Sequence, residues 1–149
     1  MRRATAFWDA SALVPLFIEE AASRDARSRL KRYQPVVWWG SLIEVQSAIS
    51  RLHRQREITG DQKLGALARV QLLSQAWSEI LPSDEVRALG LQLVDSYPLR
   101  ASDGLQLAAS LVWCKKRPAS RDFICGDLRL SEAAREAGFS VTHFGEKSL

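Results

Sequence analysis

The chain has only two cysteines and two histidines in 149 residues, and no long hydrophobic run. Each shortage excludes something. Cys114 and Cys125 lie in an apolar helix and an apolar strand, where a small buried thiol is expected rather than a disulfide or a metal ligand. No apolar run approaches the roughly 20 residues of a membrane helix. The opening MRRATAFW reaches Asp9 too soon for the apolar segment of a secretory signal, so a cytoplasmic location without membrane contact is expected. No G-x-x-x-x-G-K-[ST] or G-x-G-x-x-G run is present to cradle the phosphates of a nucleotide. Repeats, low-complexity tracts and linkers are also missing, and the length suits one domain, expected over residues 1–149.

What is present is an ordinary globular balance: 46% hydrophobic and 26% charged residues, enough to bury a core. The net charge is +4 and the sequence pI about 9.4. The cations cluster at Arg27, Arg29, Lys31 and Arg32, at Arg51, Arg54 and Arg56, and at Lys115, Lys116, Arg117 and Arg121. Such a balance favours an anionic partner, nucleic acid first, although solvated helix faces account for charge clusters equally well.

Short apolar runs predict buried strands at Ala4 to Trp8, Pro35 to Trp39, Glu79 to Leu81, Phe123 to Cys125 and Ser140 to His143. Helical spacing fills the intervals: Ser11 to Phe17, Ala21 to Arg32, Ser41 to Arg56, Asp61 to Trp77, Asp84 to Ser96, Ser102 to Lys116, and Asp127 to Ala137, which Gly138 ends. Strands alternating with helices predict an α/β fold, a parallel sheet covered on both faces.

Four acids stand out by position. Asp9 and Asp127 follow the first and fourth predicted strands, at the carboxyl edge of a parallel sheet where open α/β folds bind ligands. Asp103 shares a helical stripe with Leu107 and Leu111, and Glu44 shares one with Ala48 and Leu52, which turns both acids toward the core. Carboxylates gathered this way repel one another and cannot all stay ionised without a cation between them. Oxygen ligands without histidine or cysteine select a hard ion, Mg²⁺ or Mn²⁺ rather than Zn²⁺, and such an ion suits hydrolysis of a phosphodiester. Ser11 is an auxiliary candidate, two residues after Asp9. Each residue also has a plainer role: Ser41 to Glu44 reads as a capping box, Asp127 as a helix cap, Asp103 as a first-turn acid and Ser11 as an N-cap.

Taken in order, FWDASALVPLF, SLIEVQSAI, LRASDGLQLAAS and FICGDLRLSEAAREAGF resemble the motifs of the PIN domain, specifically the VapC-type toxins of toxin–antitoxin pairs, over nearly the whole chain. The resemblance implies a five-stranded parallel sheet between helices and a Mg²⁺- or Mn²⁺-dependent endoribonuclease acting on single-stranded or structured RNA. It also implies a homodimeric toxin held inactive by a small antitoxin, with the family acids falling on Asp9, Glu44, Asp103 and Asp127. The chain departs from the pattern at Cys125-Gly126-Asp127, where relatives often carry a hydroxyl residue before the acid. Trp38 and Trp39 are bulky for a strand end; one is expected in the core and the other at the site mouth, placed to stack a base or hold an antitoxin side chain.

On this reading Asp9, Glu44 and Asp103 hold one ion, directly or through waters, and Asp127 completes the shell or helps hold a second. Arg100 and Arg129 are candidates for gripping a phosphate, with surface salt bridges as their plainer role. Leu42, Leu64, Leu72 and other apolar residues of the two middle helices exceed what one sheet face covers, which suits an antitoxin groove or a dimer interface. One rival reading is a non-catalytic module of the same fold that binds RNA or protein. The other, a phosphoryl acceptor at Asp9, calls for a second acid where Ala10 and Ser11 stand, and for a lysine after a late strand.

Overall fold

The computed structural model describes residues 3–145. Strands β1 (Ala4–Trp8), β2 (Tyr33–Trp38), β3 (Ser78–Ile80), β4 (Asp122–Cys125) and β5 (Ser140–His143) form one parallel sheet in the order β3-β2-β1-β4-β5. These are the five runs the apolar pattern predicts, with ends shifted by up to two residues. The alternation inside them shows why both faces need cover: Ala6, Trp8, Val37 and Ile124 enter one core, while Phe7, Val36, Phe123 and Cys125 enter the other.

Seven α-helices supply that cover. α1 (Ala10–Leu13), α2 (Ser23–Arg32), α3 (Ser41–Arg54) and α4 (Gly60–Ser74) contribute to the first core, and α5 (Asp84–Ser96), α6 (Ala101–Trp113) and α7 (Leu128–Ala137) to the second. Among the described residues no helix is long and apolar enough to cross a membrane. Both cysteines are free and buried, as expected.

The helix ends differ from the sequence expectation where local chemistry is subtle. The expected helix from Ser11 to Phe17 is four residues of α1 followed by a tighter 3₁₀ turn, Val14–Leu16, with Pro15 inside it. α4 begins at Gly60, one residue before the expected Asp61, because Thr59 caps it in a reciprocal box with Gln62. α6 stops at Trp113, and Lys115 and Lys116 take the left-handed region with φ of 55° and 60°.

Gly138 ends α7 as predicted, with φ of 114°, and a Cβ there would stand 3.0 Å from Pro118 Cγ. Gly138→Ala therefore meets both backbone strain and a contact, and is expected to cost about 1–2 kcal/mol in urea unfolding.

The strand order positions the site. From β1 the chain moves one way across the sheet through β2 to β3, whereas β4 and β5 lie on the other side of β1. The reversal falls between β1 and β4, whose carboxyl ends therefore border the crevice where such sheets bind ligands.

Candidate functional site

Asp9 leaves β1 at that crevice, its amide donating to the Ile124 carbonyl of β4 at 3.2 Å. Its side chain is 3% exposed. It is itself the N-cap of α1, accepting from the Ser11 and Ala12 amides, each at 3.2 Å. The expectation that Ser11 caps this helix is thus corrected: the chain turns helical at Ala10, so Ser11 already lies inside. The serine hydroxyl instead donates to the Asp9 carboxylate, 2.8 Å from either oxygen, and accepts from the Gly126 amide at 2.8 Å. It ties the end of β1 to the loop after β4.

All of these donors to Asp9 are neutral, and burial dominates. It pushes the Asp9 carboxyl up from 3.8 to about 7, with the Ser11 hydroxyl the largest opposing influence. Cys125, completely buried beneath, accepts from the Asp127 amide and lies 3.9 Å from Ser11 Oγ. Burial first, and then the Asp9 charge, push its thiol up, so it stays neutral and is no nucleophile. A hydroxyl does stand in this region, supplied by Ser11 rather than by the residues before Asp127.

The other acids gather around Asp103 in the first turn of α6. Burial raises its pKa, the Asp127 charge adds to this, and the Arg100 amide and the Arg100 and Arg129 charges oppose it. The charges of both arginines named from the sequence as phosphate-gripping candidates are thus felt at Asp103. Asp127 caps α7, its Oδ1 accepting from the Leu130 amide at 2.8 Å. Glu44 is half-buried on α3; burial raises its pKa and the Asp103 charge adds to that.

The Ser41–Glu44 capping box is not formed. Gly40 is the N-cap of α3, and Ser41, fully buried, accepts instead from Gln106 Nε2 at 2.9 Å. The same amide nitrogen donates to Glu44 Oε2. Gln106 is 2% exposed, and sequence reasoning missed it. The available signal was its place three residues after Asp103, mirroring Ser41 and Glu44 on α3.

Glu44 therefore senses Asp103, and Asp103 senses Asp127, while Asp9 reaches the loop before Asp127 through Ser11. Among the described residues, no three histidine, cysteine, aspartate or glutamate side chains come together closely enough to enclose an ion by themselves. A groove of about 430 Å³ joins Ser11, Glu44 and Gly126 to Arg51, a member of the second cationic cluster, and to Glu20, a charged residue the sequence did not single out. Trp38 is core at 8% exposure and Trp39 stands out at 48%, lining a neighbouring groove with Arg87 and Leu105. Leu42, Ile43, Leu64 and Leu72 are exposed on α3 and α4, while Val45, Ile49 and Trp77 are buried.

No family profile matches the sequence and no curated protein is similar to it. Solved structures are similar in fold. A toxin–antitoxin complex from Klebsiella pneumoniae superimposes with a TM-score of 0.59 at 18% identity, covering 83% of this chain and 87% of that one. FitAcB from Neisseria gonorrhoeae gives 0.63 at 14% identity, covering 95% and 97%. FitAB bound to an IR36 DNA fragment gives 0.62 at 12% identity, covering 93% and 94%. At these identities the likeness is one of architecture: the parallel α/β fold expected from the sequence is shared with these three solved structures.

Proposed function

We propose that this chain is a PIN-type, Mg²⁺- or Mn²⁺-dependent endoribonuclease acting as the toxin of a toxin–antitoxin pair. The observation that carries the reading is Asp9, a carboxylate 3% exposed at the β1–β4 crevice whose hydrogen-bond donors are all neutral. Burying such a charge without a cation costs several kcal/mol, and a divalent ion offsets that cost. The fold shared with solved toxin–antitoxin complexes supports the toxin role.

The donor set fits a hard ion. Asp9, Glu44, Asp103 and Asp127 offer only oxygen, and because they do not close a cage the ion would keep several waters, as Mg²⁺ prefers. Asp9 and Asp103 would hold it directly, with Glu44 and Asp127 reaching it directly or through water. When bound, it would supply Lewis acidity toward the scissile phosphate and the attacking water. The remaining work falls to the chain. Arg100 and Arg129 are exposed beside Asp103 and face an incoming phosphate. Ser11 favours the ionised form of Asp9 against burial and holds the carboxylate in one orientation. An antitoxin or a second copy of the chain would cover the exposed Leu42 and Ile43 of α3.

Ser11→Ala removes the hydroxyl that most favours Asp9 ionisation, so the Asp9 midpoint moves further above its ordinary range. Cleavage at pH 7 is expected to fall about tenfold, since a hydrogen bond to a charge contributes roughly 1.5–3 kcal/mol, and to recover toward pH 9. A pH–rate profile checks this; equal loss at both pH values would place Ser11 elsewhere in the mechanism.

The test of function is cleavage of a mixed RNA pool by purified protein with Mg²⁺, Mn²⁺ or EDTA, followed by mapping of the ends. The expected result is metal-dependent cutting that leaves 5′-phosphates, including at 2′-O-methylated sites, because water and not the ribose hydroxyl attacks. A second reading, a module of this fold that binds RNA or protein without cutting, is favoured by the absence of a closed cage among the described acids. RNA retention without cutting in all three conditions would select it.

A further inference from the structure

We propose that Gln106 is a positioning residue that sets Glu44 for metal binding, an assignment that rests on the nuclease reading above. The first turns of two helices from opposite faces of the sheet are linked here, and each carries the same spacing: Ser41 and Glu44 three apart on α3, Asp103 and Gln106 three apart on α6. Side chains three apart lie on one face of a helix, so the two pairs meet across the gap.

Gln106 closes that gap. Its amide nitrogen donates one hydrogen to Ser41 Oγ at 2.9 Å and the other to Glu44 Oε2. A carboxylate only accepts, which fixes the amide with its nitrogen toward α3. Gln106 Oε1 then has no partner, one of two such buried side-chain atoms among the described residues. Leaving that acceptor unpaired costs about 1–3 kcal/mol, which the two donations to α3 offset.

Holding Glu44 has a purpose that packing does not. The Asp103 charge repels Glu44, and the hydrogen bond from Gln106 is what holds Glu44 against swinging out to solvent. The Gln106 amide keeps it on the α6 side, next to Asp103, in the arrangement a shared cation needs.

Gln106→Met keeps the shape and removes the donor. Calorimetric Mn²⁺ titration of the RNA-free protein is expected to show affinity at least about tenfold weaker, the usual effect of losing a group that orients a ligand. With RNA, the Mg²⁺ needed for half-maximal cleavage should rise while the KM for RNA stays put. The decisive arm is a double-mutant cycle. In a Glu44→Ala background, Gln106→Met should change Mn²⁺ affinity less than twofold, because the residue it acts through is gone. Should the Met variant not fold, Gln106→Asn, which withdraws the amide by one methylene, takes its place. Unchanged Mn²⁺ affinity in the single variant, an equal loss in both backgrounds, or no Mn²⁺ binding by the wild type overturns the assignment. A wild type that binds Mn²⁺ through Glu44 and Gln106 but cuts no RNA leaves it standing and removes the nuclease reading instead.

Discussion

Asp9→Asn stabilises the fold above pH 7 while reducing RNA cleavage on the order of 10³-fold or more. The stability half of this result follows from burial. The carboxyl titrates at about 7 in the folded chain against an ordinary value of 3.8. An acid with a raised folded pKa favours folding while protonated. Its contribution is therefore most favourable below pH 4, declines as pH rises from 4 to 7, and is flat above 7, opposite to a salt-bridged carboxylate. Three units correspond to about 4 kcal/mol. Asparagine removes that cost and its amide can donate to Ser11 Oγ, but the Ser11 and Ala12 amides donate to different carboxylate oxygens, so its one carbonyl oxygen keeps only one of them and part of the gain is lost. At pH 8 the variant should melt about 10 °C above the wild type in metal-free buffer, with a smaller gap at pH 5. Saturating Mg²⁺ should narrow the gap by stabilising only the wild type. A variant less stable than the wild type at pH 8 would show that Asp9 is not a desolvated charge.

Gly126→Val is expected to reduce cleavage about 10²-fold at a modest loss of stability, because a displacement near 1 Å at a reacting centre has that effect. Gly126 has no left-handed backbone requirement; what it provides is room. A Cβ there would stand 3.2 Å from the Ser11 carbonyl oxygen and 3.3 Å from Ser11 Oγ. A branched side chain forces the loop after β4 away from β1. That breaks the 2.8 Å hydrogen bond from the Gly126 amide to Ser11 and moves Asp127 relative to Asp9. Cleavage rates and urea unfolding on one preparation check this, and a variant with wild-type rates would mean that the two strand ends act independently.

The strands were legible because a sheet buried on both faces is written as short apolar runs, and Asp9 and Asp127 because each follows such a run directly. What the sequence concealed was set by contacts between distant residues or by the register of a single turn. Glu44 read by itself as half of a capping box; only the approach of Gln106, 62 residues further along, shows that Ser41 and Glu44 serve another helix. Asp9 took the capping role expected of Ser11 because the chain turned helical at Ala10, two residues before the start that a Ser11 cap implies, a shift the pattern of apolar residues does not encode. Trp38 and Trp39 divided as neighbours on a strand end do, one face to the core and one to solvent.

Convergence of acids from four separate elements on one divalent cation is open to a test that does not depend on activity, in crystals soaked in Mn²⁺ and measured at its absorption edge. Anomalous density is expected at the carboxyl ends of β1 and β4, beside Asp9 and Asp103, and is expected to be lost in Asp9→Asn crystals. Mn²⁺ found only elsewhere on the molecule, with the acids still facing one another around an empty crevice, would contradict it.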